Sequence, residues 1–408
     1  MLPIGAALEQ MLGGIDPLGL ERVSIAEALG RVLAVPFVAV EPHPRFDQSA
    51  MDGYAVRAEE ATARSELLVV GEAPAGSTDP PSVAPGQAVR IFTGGPIPPG
   101  ADAVVLQENV RRTDDRVVLQ EDTSWGQHIR TRASDVAQGE VVVAAGVVID
   151  PGVIGVLSAS RRSWVSVYRR PRVAILSTGD ELADMDGPIG PHQVVASNGP
   201  VLASLVRLYG GDPVLLPKVS DRQEAITGVL LELKADLVVS TGGVSVGDYD
   251  QVTDASVKAG KHLVFNKLRL KPGKPSTFLT GTPPHLALPG NPTSAIVTFE
   301  VLGRPLLRKL AGDHRIHAPA FRGLVEREVR HRPGRTELVR CMAVGERDGR
   351  ILLRPARRQG SGSVKTLAQA DSLLILPFDE ERIESATEAT AIRLFDPRGA
   401  VDTPLHRL

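Results

Sequence analysis

The spacing of apolar residues predicts a helical segment followed by β-rich segments in the first part of the chain. Residues 1–35 carry an apolar face at helical spacing, with Leu8 and Met11 on it, which predicts helix. Residues 44–130 are rich in Gly and Pro and contain short alternating runs, which predict a small β-rich domain. Strand patterns continue through residues 138–156, where Gly and Pro mark the turns.

A different pattern starts at Arg172, where short apolar runs begin to alternate with helical faces. Two of these helical faces follow Asn198 and Asp221. This alternation is typical of a doubly wound, mostly parallel α/β sheet. After Gly312 the strand patterns return and predict a β-barrel-like C-terminal domain. The expected fold class is therefore multidomain, α/β plus β, with N-terminal β-rich domains.

Residues 235–250 form the most informative stretch. The apolar run Leu237–Val239 predicts a strand buried on both faces, and Thr241-Gly242-Gly243 interrupts it. Glycines let main-chain N–H groups approach a phosphate closely. The stretch ends with two more small residues and two carboxylates: Ser245, Gly247, Asp248 and Asp250. Carboxylates next to a phosphate would repel it unless a cation such as Mg²⁺ lies between them. The alternative is a strand-to-helix turn with Asp248 or Asp250 as its N-cap.

A second predicted strand, Val173–Ser177, ends in the same way, with Thr178-Gly179-Asp180-Glu181. The carboxyl ends of parallel strands lie side by side, where open α/β sheets bind ligands. Further along, residues 267–274 concentrate cations, which a phosphate-bearing ligand would need. Asn291 and Pro292 fit the N-cap and first residue of a helix whose positive end would face an anion. These segments predict one site for a phosphate-bearing ligand.

The N-terminal β region also holds polar groups outside any strand pattern. Asp52-Gly53 follows a polar loop, for which an Asx-turn is an equal alternative. Thr93 opens a Gly-rich turn after a strand. Arg130, Arg132 and Asp135 form a charge cluster that a structural ion pair would explain equally well.

Composition narrows the class of protein. The net charge of −2 over 408 residues argues against nucleic-acid binding, and aromatic residues make up only 4%. One cysteine, Cys341, excludes internal disulfides and fits a reducing cytoplasm. It lies in a strand-like run, where a buried small hydrophobe is the expected role. No apolar run approaches the ~18 residues of a membrane span, so no membrane association is expected.

Six motifs in fixed order resemble the molybdopterin molybdenumtransferase (MoeA) family, the bacterial counterpart of the gephyrin E domain. They are Ser49–Ala55, Phe92–Pro96, Ser177–Leu182, Gly242–Gly247, Lys271–Pro275 and Leu288–Pro292. The resemblance covers nearly the whole chain. It implies a homodimer of elongated, four-domain subunits with composite active sites. The implied domains are residues 1–43 with 131–168, which link and dimerise, then 44–130, 169–313 and 314–408.

The resemblance also implies an activity, the Mg²⁺-dependent insertion of molybdate into the dithiolene of adenylyl-molybdopterin with release of AMP. A molybdopterin adenylyltransferase is the implied upstream donor. The residues expected to carry the reaction are Asp52, Glu181, Asp221, Asp250, Lys267 and Lys271. The expected metal ligands are Glu181, Asp221 and Asp250. With the phosphate-cradle positions added, the expected substrate contacts are Thr93, Arg130, Asp135, Ser177, Thr178, Gly179, Thr241, Gly242, Gly243, Ser245, Gly247, Lys274, Pro289, Gly290, Pro292, and Ser361 or Ser363.

The sequence departs from the family pattern in places. Arg132-Ala133-Ser134-Asp135 stands where relatives often have Arg-Gly-Glu-Asp, so one acid is missing. Relatives differ at Asp248, which leaves its role open. Asp221 and Glu224 also have the spacing of a helix cap, which competes with a metal role for Asp221. Two other functions stay open at this point, a molybdopterin adenylyltransferase and a gephyrin-like scaffold.

Overall fold

The computed structural model describes residues 1–243, 251–345 and 349–399. The chain divides into two compact units. The first unit contains residues 1–35, 145–151 and 164–408, and the second contains residues 36–144 and 152–163. Each unit has its own sheets and its own apolar core.

The helices and strands of the described residues have the following bounds. The α-helices are α1 (Ile4–Gly13), α2 (Pro151–Ala159), α3 (Asn198–Leu208), α4 (Gln223–Glu232), α5 (Gln251–Lys258), α6 (Pro292–Thr298), α7 (Arg304–Leu310) and α8 (Lys365–Gln369). The strands up to residue 143 are β1 (Leu20–Ser24), β2 (Phe37–Val38), β3 (Gln48–Ser49), β4 (Gly53–Val56), β5 (Glu66–Ala73), β6 (Gln87–Ile91), β7 (Ala103–Leu106), β8 (Val110–Thr113), β9 (Arg116–Leu119), β10 (Ile129–Arg130) and β11 (Val141–Val143). Those between residues 164 and 288 are β12 (Trp164–Tyr168), β13 (Arg172–Ser177), β14 (Leu182–Ala183), β15 (Val194–Val195), β16 (Asp212–Leu215), β17 (Leu237–Thr241), β18 (His262–Phe265), β19 (Leu270–Lys271), β20 (Thr277–Thr280) and β21 (His285–Leu288). The C-terminal strands are β22 (Ala320–Val325), β23 (Val329–Arg330), β24 (Thr336–Gly345), β25 (Ile351–Pro355), β26 (Ser372–Leu376), β27 (Arg382–Ile383) and β28 (Glu388–Arg393).

A six-stranded sheet of order β16-β13-β17-β21-β20-β18 organises the first unit. Its first four strands are parallel, and β20 and β18 are antiparallel to their neighbours. One face packs against α1, α3 and α6, and the other packs against α4 and α5. Because both faces are covered, strands such as β17 are buried at every position. The predicted doubly wound, mostly parallel α/β sheet is confirmed.

The C-terminal part of the same unit is a closed barrel. Strand β24 pairs with both β25 and β26, so the order β24-β25-β22-β28-β26 returns on itself. Its interior holds Val339, Cys341, Leu353 and Leu374, which confirms the buried position expected for the cysteine. Strand β19 pairs with β24 and ties the basic segment after residue 267 to the barrel wall.

The second unit contains a six-stranded mixed sheet of order β7-β4-β6-β5-β9-β8. Its core includes Tyr54, Val56 and Val105. Its strands are 4 to 8 residues long. This sheet confirms the predicted N-terminal β-rich region. Two small ladders, β3 with β10 and β2 with β11, extend the unit.

Two local predictions are wrong. Helix α1 ends at Gly13, and Leu20–Ser24 is a strand paired with Trp164–Tyr168, so residues 1–35 are not one helix. Pro17 breaks the helical pattern, because it supplies no main-chain donor. Residues 151–156 are helical rather than extended, because Pro151 fits the first turn of α2.

Candidate functional site

The carboxyl ends of three parallel strands lie in register. Ser177 of β13 pairs with Thr241 of β17, and Thr241 pairs with Leu288 of β21. The segments after them are therefore neighbours, as predicted. The Thr178 N–H donates to the Thr241 carbonyl at 3.0 Å. This register brings together the Thr178-Gly179, Gly242-Gly243 and Pro289-Gly290 turns.

Gly242 is required where these turns meet. Its φ is +92°, and a Cβ there would lie 2.2 Å from the Thr178 carbonyl oxygen. A Cβ on Gly290 would lie 3.5 Å from the Gly242 Cα. The Asn198 side chain holds the same turn, because its Nδ2 donates to the Gly290 carbonyl at 2.7 Å. The main chains thus approach each other with no side chain between them, as a phosphate cradle requires.

Asp221 is a partly buried acid beside this cradle. Thr178 forms a parallel bridge with Val219, and a Cβ on Gly243 would lie 3.7 Å from Asp221 Oδ1. Burial, followed by the charge of Glu181, raises the pKa of Asp221. The Asp180 main-chain N–H and then the Thr178 hydroxyl partly offset this rise. Even so, Asp221 Oδ1 and Thr178 Oγ1 are buried without a partner at hydrogen-bonding geometry in the described residues. An under-satisfied carboxylate in a Gly-rich cleft points to a ligand.

The competing role of Asp221 as a helix cap is not supported. Helix α4 begins at Gln223, its N-cap is Arg222, and no side chain bonds to the cap. Asp221 therefore lies one residue before the cap, in the loop that faces Thr178.

Two of the three predicted metal ligands, Glu181 and Asp221, lie within the described residues. Glu181 is exposed, and its carboxylate folds over Gly179, where a Cβ would lie 2.6 Å from Oε2. Residues 1–243, 251–345 and 349–399 contain no group of three or more His, Cys, Asp or Glu placed to hold a metal ion. Ser245, Gly247, Asp248 and Asp250 lie outside the described residues. Asp221 and Glu181 fit Mg²⁺, which commonly takes one or two carboxylates and completes its shell with phosphate and water.

A basic cleft of about 530 Å³ lies beside the Pro289 turn. Lys271, Lys274 and Arg335 bring three cations to it, and Glu337 is its carboxylate. Lys271 Nζ lies 2.9 and 3.0 Å from the two oxygens of Glu337. Lys267 is exposed and is not among the residues that line this cleft.

The start of helix α6 forms one wall of the basic cleft. Pro292 is its first residue and Asn291 its N-cap, as predicted, although Asn291 makes no side-chain cap bond. The Thr293 N–H donates to the Ser361 carbonyl at 3.3 Å. Ser361 lines the basic cleft, whereas Ser363 lines a separate cavity of the barrel. The structure thus separates two serines that the sequence left as alternatives.

Sequence reasoning missed Arg340, which is only 1% exposed. Its Nη2 donates to the carbonyls of Arg358 and Gly360, both at 3.2 Å. The Gln359 side chain accepts from the Arg340 N–H at 3.1 Å and donates to its carbonyl at 2.9 Å. Arg340 thus holds the Gln359–Ser361 wall of the basic cleft. The available signal was a cation in the middle of an apolar strand pattern.

The second unit holds the other candidate residues: Asp52, Thr93, Arg130 and Asp135. Asp52 Oδ1 accepts from the Thr93 N–H at 2.7 Å and from its hydroxyl at 2.8 Å. These two bonds lower the pKa of Asp52. Asp52 therefore fixes the Gly-rich turn at Thr93. Arg130 and Asp135 are exposed, and within the described part of the chain no ion pair joins Asp135 to Arg130 or Arg132.

Three family models match consecutive parts of the chain. The MoeA N-terminal region (domain I and II) matches residues 2–160. The probable molybdopterin binding domain matches residues 174–309, and the MoeA C-terminal region (domain IV) matches residues 322–394. Among the described residues, none of the helices combines the length and apolar character needed to span a bilayer.

Similar proteins are found in bacteria and archaea. The chain is 38% identical over 386 residues to a molybdopterin molybdenumtransferase from Nostoc sp., covering 92% of this chain and 88% of the relative. It is 35% identical to molybdopterin molybdenumtransferase 2 from Mycobacterium tuberculosis, covering 90% and 93%. The crystal structure of the molybdopterin biosynthesis MoeA protein from Pyrococcus horikoshii superposes with a TM-score of 0.83 at 29% identity, covering 96% and 100%. The chain belongs to the MoeA family of molybdopterin molybdenumtransferases.

Proposed function

We propose that this protein is a molybdopterin molybdenumtransferase of molybdenum cofactor biosynthesis. It takes adenylyl-molybdopterin and molybdate as substrates, depends on Mg²⁺ and releases AMP. Family membership over most of the chain supports the activity. The observation that carries the location is the meeting of the Thr178, Gly242 and Pro289 turns next to Asp221, with the basic cleft beside them.

The two parts of the site divide the chemistry. Asp221 and Glu181 would hold Mg²⁺, which neutralises phosphate charge as the leaving group departs. The turn at Gly242 brings main-chain groups close to the phosphate. Lys274 and Arg335 attract the molybdate dianion into the basic cleft, and the start of α6 adds favourable main-chain dipoles.

The reaction needs no covalent nucleophile from the protein. Cys341, the one cysteine of the sequence, is buried in the barrel, and burial raises its pKa to about 12. A thiol in that state is inert. The chemistry proposed is therefore metal-assisted cleavage of the phosphoanhydride, with the acids orienting metal and water.

The direct test is AMP release by the purified protein from adenylyl-molybdopterin. Release that requires both Mg²⁺ and molybdate supports the proposal. Adenylylation of molybdopterin at the expense of ATP would instead support the adenylyltransferase alternative. That alternative leaves the matched regions at residues 2–160 and 322–394 without a role. A scaffold without activity would release no AMP under any of these conditions.

We also propose that the protein acts in the cytoplasm as a homodimer with composite sites. In this arrangement the Asp52, Thr93, Arg130 and Asp135 face of one subunit completes the Asp221 site of the other. A molybdopterin adenylyltransferase would supply the substrate. The sequence separation of the two acid sets motivates the arrangement, and it can be tested without a complex structure.

The test mixes two inactive variants, Asp52→Ala and Asp221→Asn. If sites are composite, one site of a mixed dimer carries both substitutions and the other carries neither. Random mixing gives half heterodimers, so about a quarter of wild-type AMP release should return. No recovery, with heterodimers shown to be present, would place Asp52 and Asp221 in the same chain's site or in different steps.

A further inference from the structure

A second basic cavity lies in the first unit and shares no lining residue with the basic cleft. Its volume is about 240 Å³. Five arginines line it, from the segment after residue 30, the connection between β12 and β13, and the ends of α3 and α7: Arg31, Arg169, Arg170, Arg207 and Arg308. Asp313 is the carboxylate among its lining residues. We refer to it as the arginine cavity.

Two of these arginines, Arg169 and Arg308, are paired with carboxylates and form walls of the cavity. Arg169 forms a fork with Asp236, with N–O distances of 2.7 and 2.8 Å. Arg308 is 4% exposed, pairs with Asp313, and donates to the carbonyls of Arg315 and Pro397. Their charges are compensated, and they give the cavity rigid sides.

The other three arginines keep free donors. Arg31 is 8% exposed, and its Nη2 serves both Glu21 and the Tyr168 carbonyl. Its Nε and Nη1 have no acceptor in the described residues, yet they are not sealed from solvent. The side chains of Arg170 and Arg207 make no hydrogen bond or ion pair within the described part of the chain. Both residues are exposed. Partial burial and then the charge of Arg31 lower the pKa of Arg170, whereas the charges of Asp212 and Glu21 raise it.

Helix capping does not explain this arrangement. Arginines are common at helix C-termini, where they bond to the last carbonyls. At the end of α3, however, main-chain N–H groups of Tyr209, Gly210 and Gly211 already bond to the final carbonyls. At the end of α7, those of Ala311 and Gly312 do the same. The free arginine donors therefore face the cavity without a structural acceptor.

We propose that the arginine cavity binds a small tetrahedral dianion, either a free oxyanion or the terminal phosphoryl group of a larger molecule. Guanidinium groups match the oxygens of such anions with paired, charge-assisted hydrogen bonds. The volume is below that of pockets for drug-sized ligands, which fits a single tetrahedral group. The excess of positive charge is local, because the whole chain carries a net charge of −2. The site stands independently of the proposed transferase activity.

Calorimetric titration with inorganic phosphate tests this site. The background is Lys274→Ala with Arg335→Ala, which removes the free cations of the basic cleft. We expect one phosphate per chain. Adding Arg170→Ala and Arg207→Ala should weaken binding at least about tenfold, because hydrogen bonds to a charged group are lost. Adding Arg322→Ala and Arg330→Ala, two exposed arginines that do not line the cavity, should leave the affinity unchanged.

Further titrants identify the source of the dianion. Sulfate and molybdate should bind like phosphate if the occupant is a free oxyanion, and AMP should then bind no better. Tighter binding of AMP that is lost when Arg170 and Arg207 are replaced assigns the cavity to a phosphoryl group. The proposal is overturned if phosphate does not bind in the background protein, or binds equally well after Arg170 and Arg207 are both replaced. If the combined variant does not fold, Arg207→Gln alone, at an exposed position, should still weaken phosphate binding, and unchanged affinity would overturn the proposal.

Discussion

Replacing Lys271 should have two separable effects, because this lysine contacts both the basic cleft and a buried acid. Glu337 has a side chain that is only 8% exposed, whereas that of Lys271 is 49% exposed. Both Glu337 oxygens lie within 3.0 Å of Nζ. The His331 ring is close by, but its Nδ1 is 3.7 Å from Glu337, beyond hydrogen-bonding distance. Lys271→Met would therefore leave a buried carboxylate without its main partner.

The expected cost lies between two limits. Exposed ion pairs contribute about 0–1 kcal/mol, whereas breaking a buried pair costs about 3–5 kcal/mol. A pair with one buried and one half-exposed partner should cost about 1–2 kcal/mol on loss of the lysine. For a domain of this size the melting temperature should fall by about 2–8 °C. Lys271→Met combined with Glu337→Gln should recover most of that loss, because the buried charge is then gone.

AMP release separates stability from function in the same variants. We expect both the single and the double variant to have low activity, because a cation of the basic cleft is missing in each. Recovery of activity in the double variant would show that Lys271 serves only to stabilise Glu337. A single variant that melts like the wild type would refute the energetic reasoning about the pair.

Three further predictions concern single buried or partly buried groups. Asp221→Asn should leave the melting temperature unchanged or raise it, because burial and Glu181 disfavour its charge; a clear fall would assign Asp221 to structure. Arg340→Met should raise the KM for molybdate, because two hydrogen bonds to the Gln359–Ser361 wall are lost. It should change the melting temperature little, because an incompletely paired guanidinium is no longer buried; a large fall in melting temperature would contradict this. Burial raises the pKa of Glu300 from 4.5 to about 7, so its contribution to stability is complete below pH 4.5 and is lost as the pH rises through about 7. Glu300→Gln should flatten the melting temperature between these pH values, and an unchanged slope would show that another group titrates.

The sequence was most informative where local pattern and tertiary environment agree. Strands β13 and β17 are continuous apolar runs because they are covered on both faces, so the pattern marks them and their ends directly. The Thr241-Gly242-Gly243 motif marked the turn after β17. In the structure, only glycine fits the positive φ of Gly242 and the close Thr178 carbonyl. The parallel topology then places these ends together without any further information.

Other features depend on contacts that no local pattern encodes. Arg340 acts on carbonyls 18 and 20 residues away, and Asn198 acts on a carbonyl 92 residues away. Asp221 has capping-box spacing in sequence, yet α4 starts after Arg222, so only the structure distinguishes the two roles. In α2, apolar residues compatible with strand or helix follow Pro151, so their spacing alone does not distinguish the two.

We propose the turns around Gly242, with Asp221 and the basic cleft, as the site of molybdenum insertion. The most direct measurement compares AMP release from adenylyl-molybdopterin, with Mg²⁺ and molybdate, by wild type, Asp221→Asn and Asp16→Asn. Asp16 is an exposed aspartate outside the site and provides the matched control. We expect molybdate-dependent AMP release by the wild type and Asp16→Asn, and none by a folded Asp221→Asn. Full AMP release by Asp221→Asn would contradict the account.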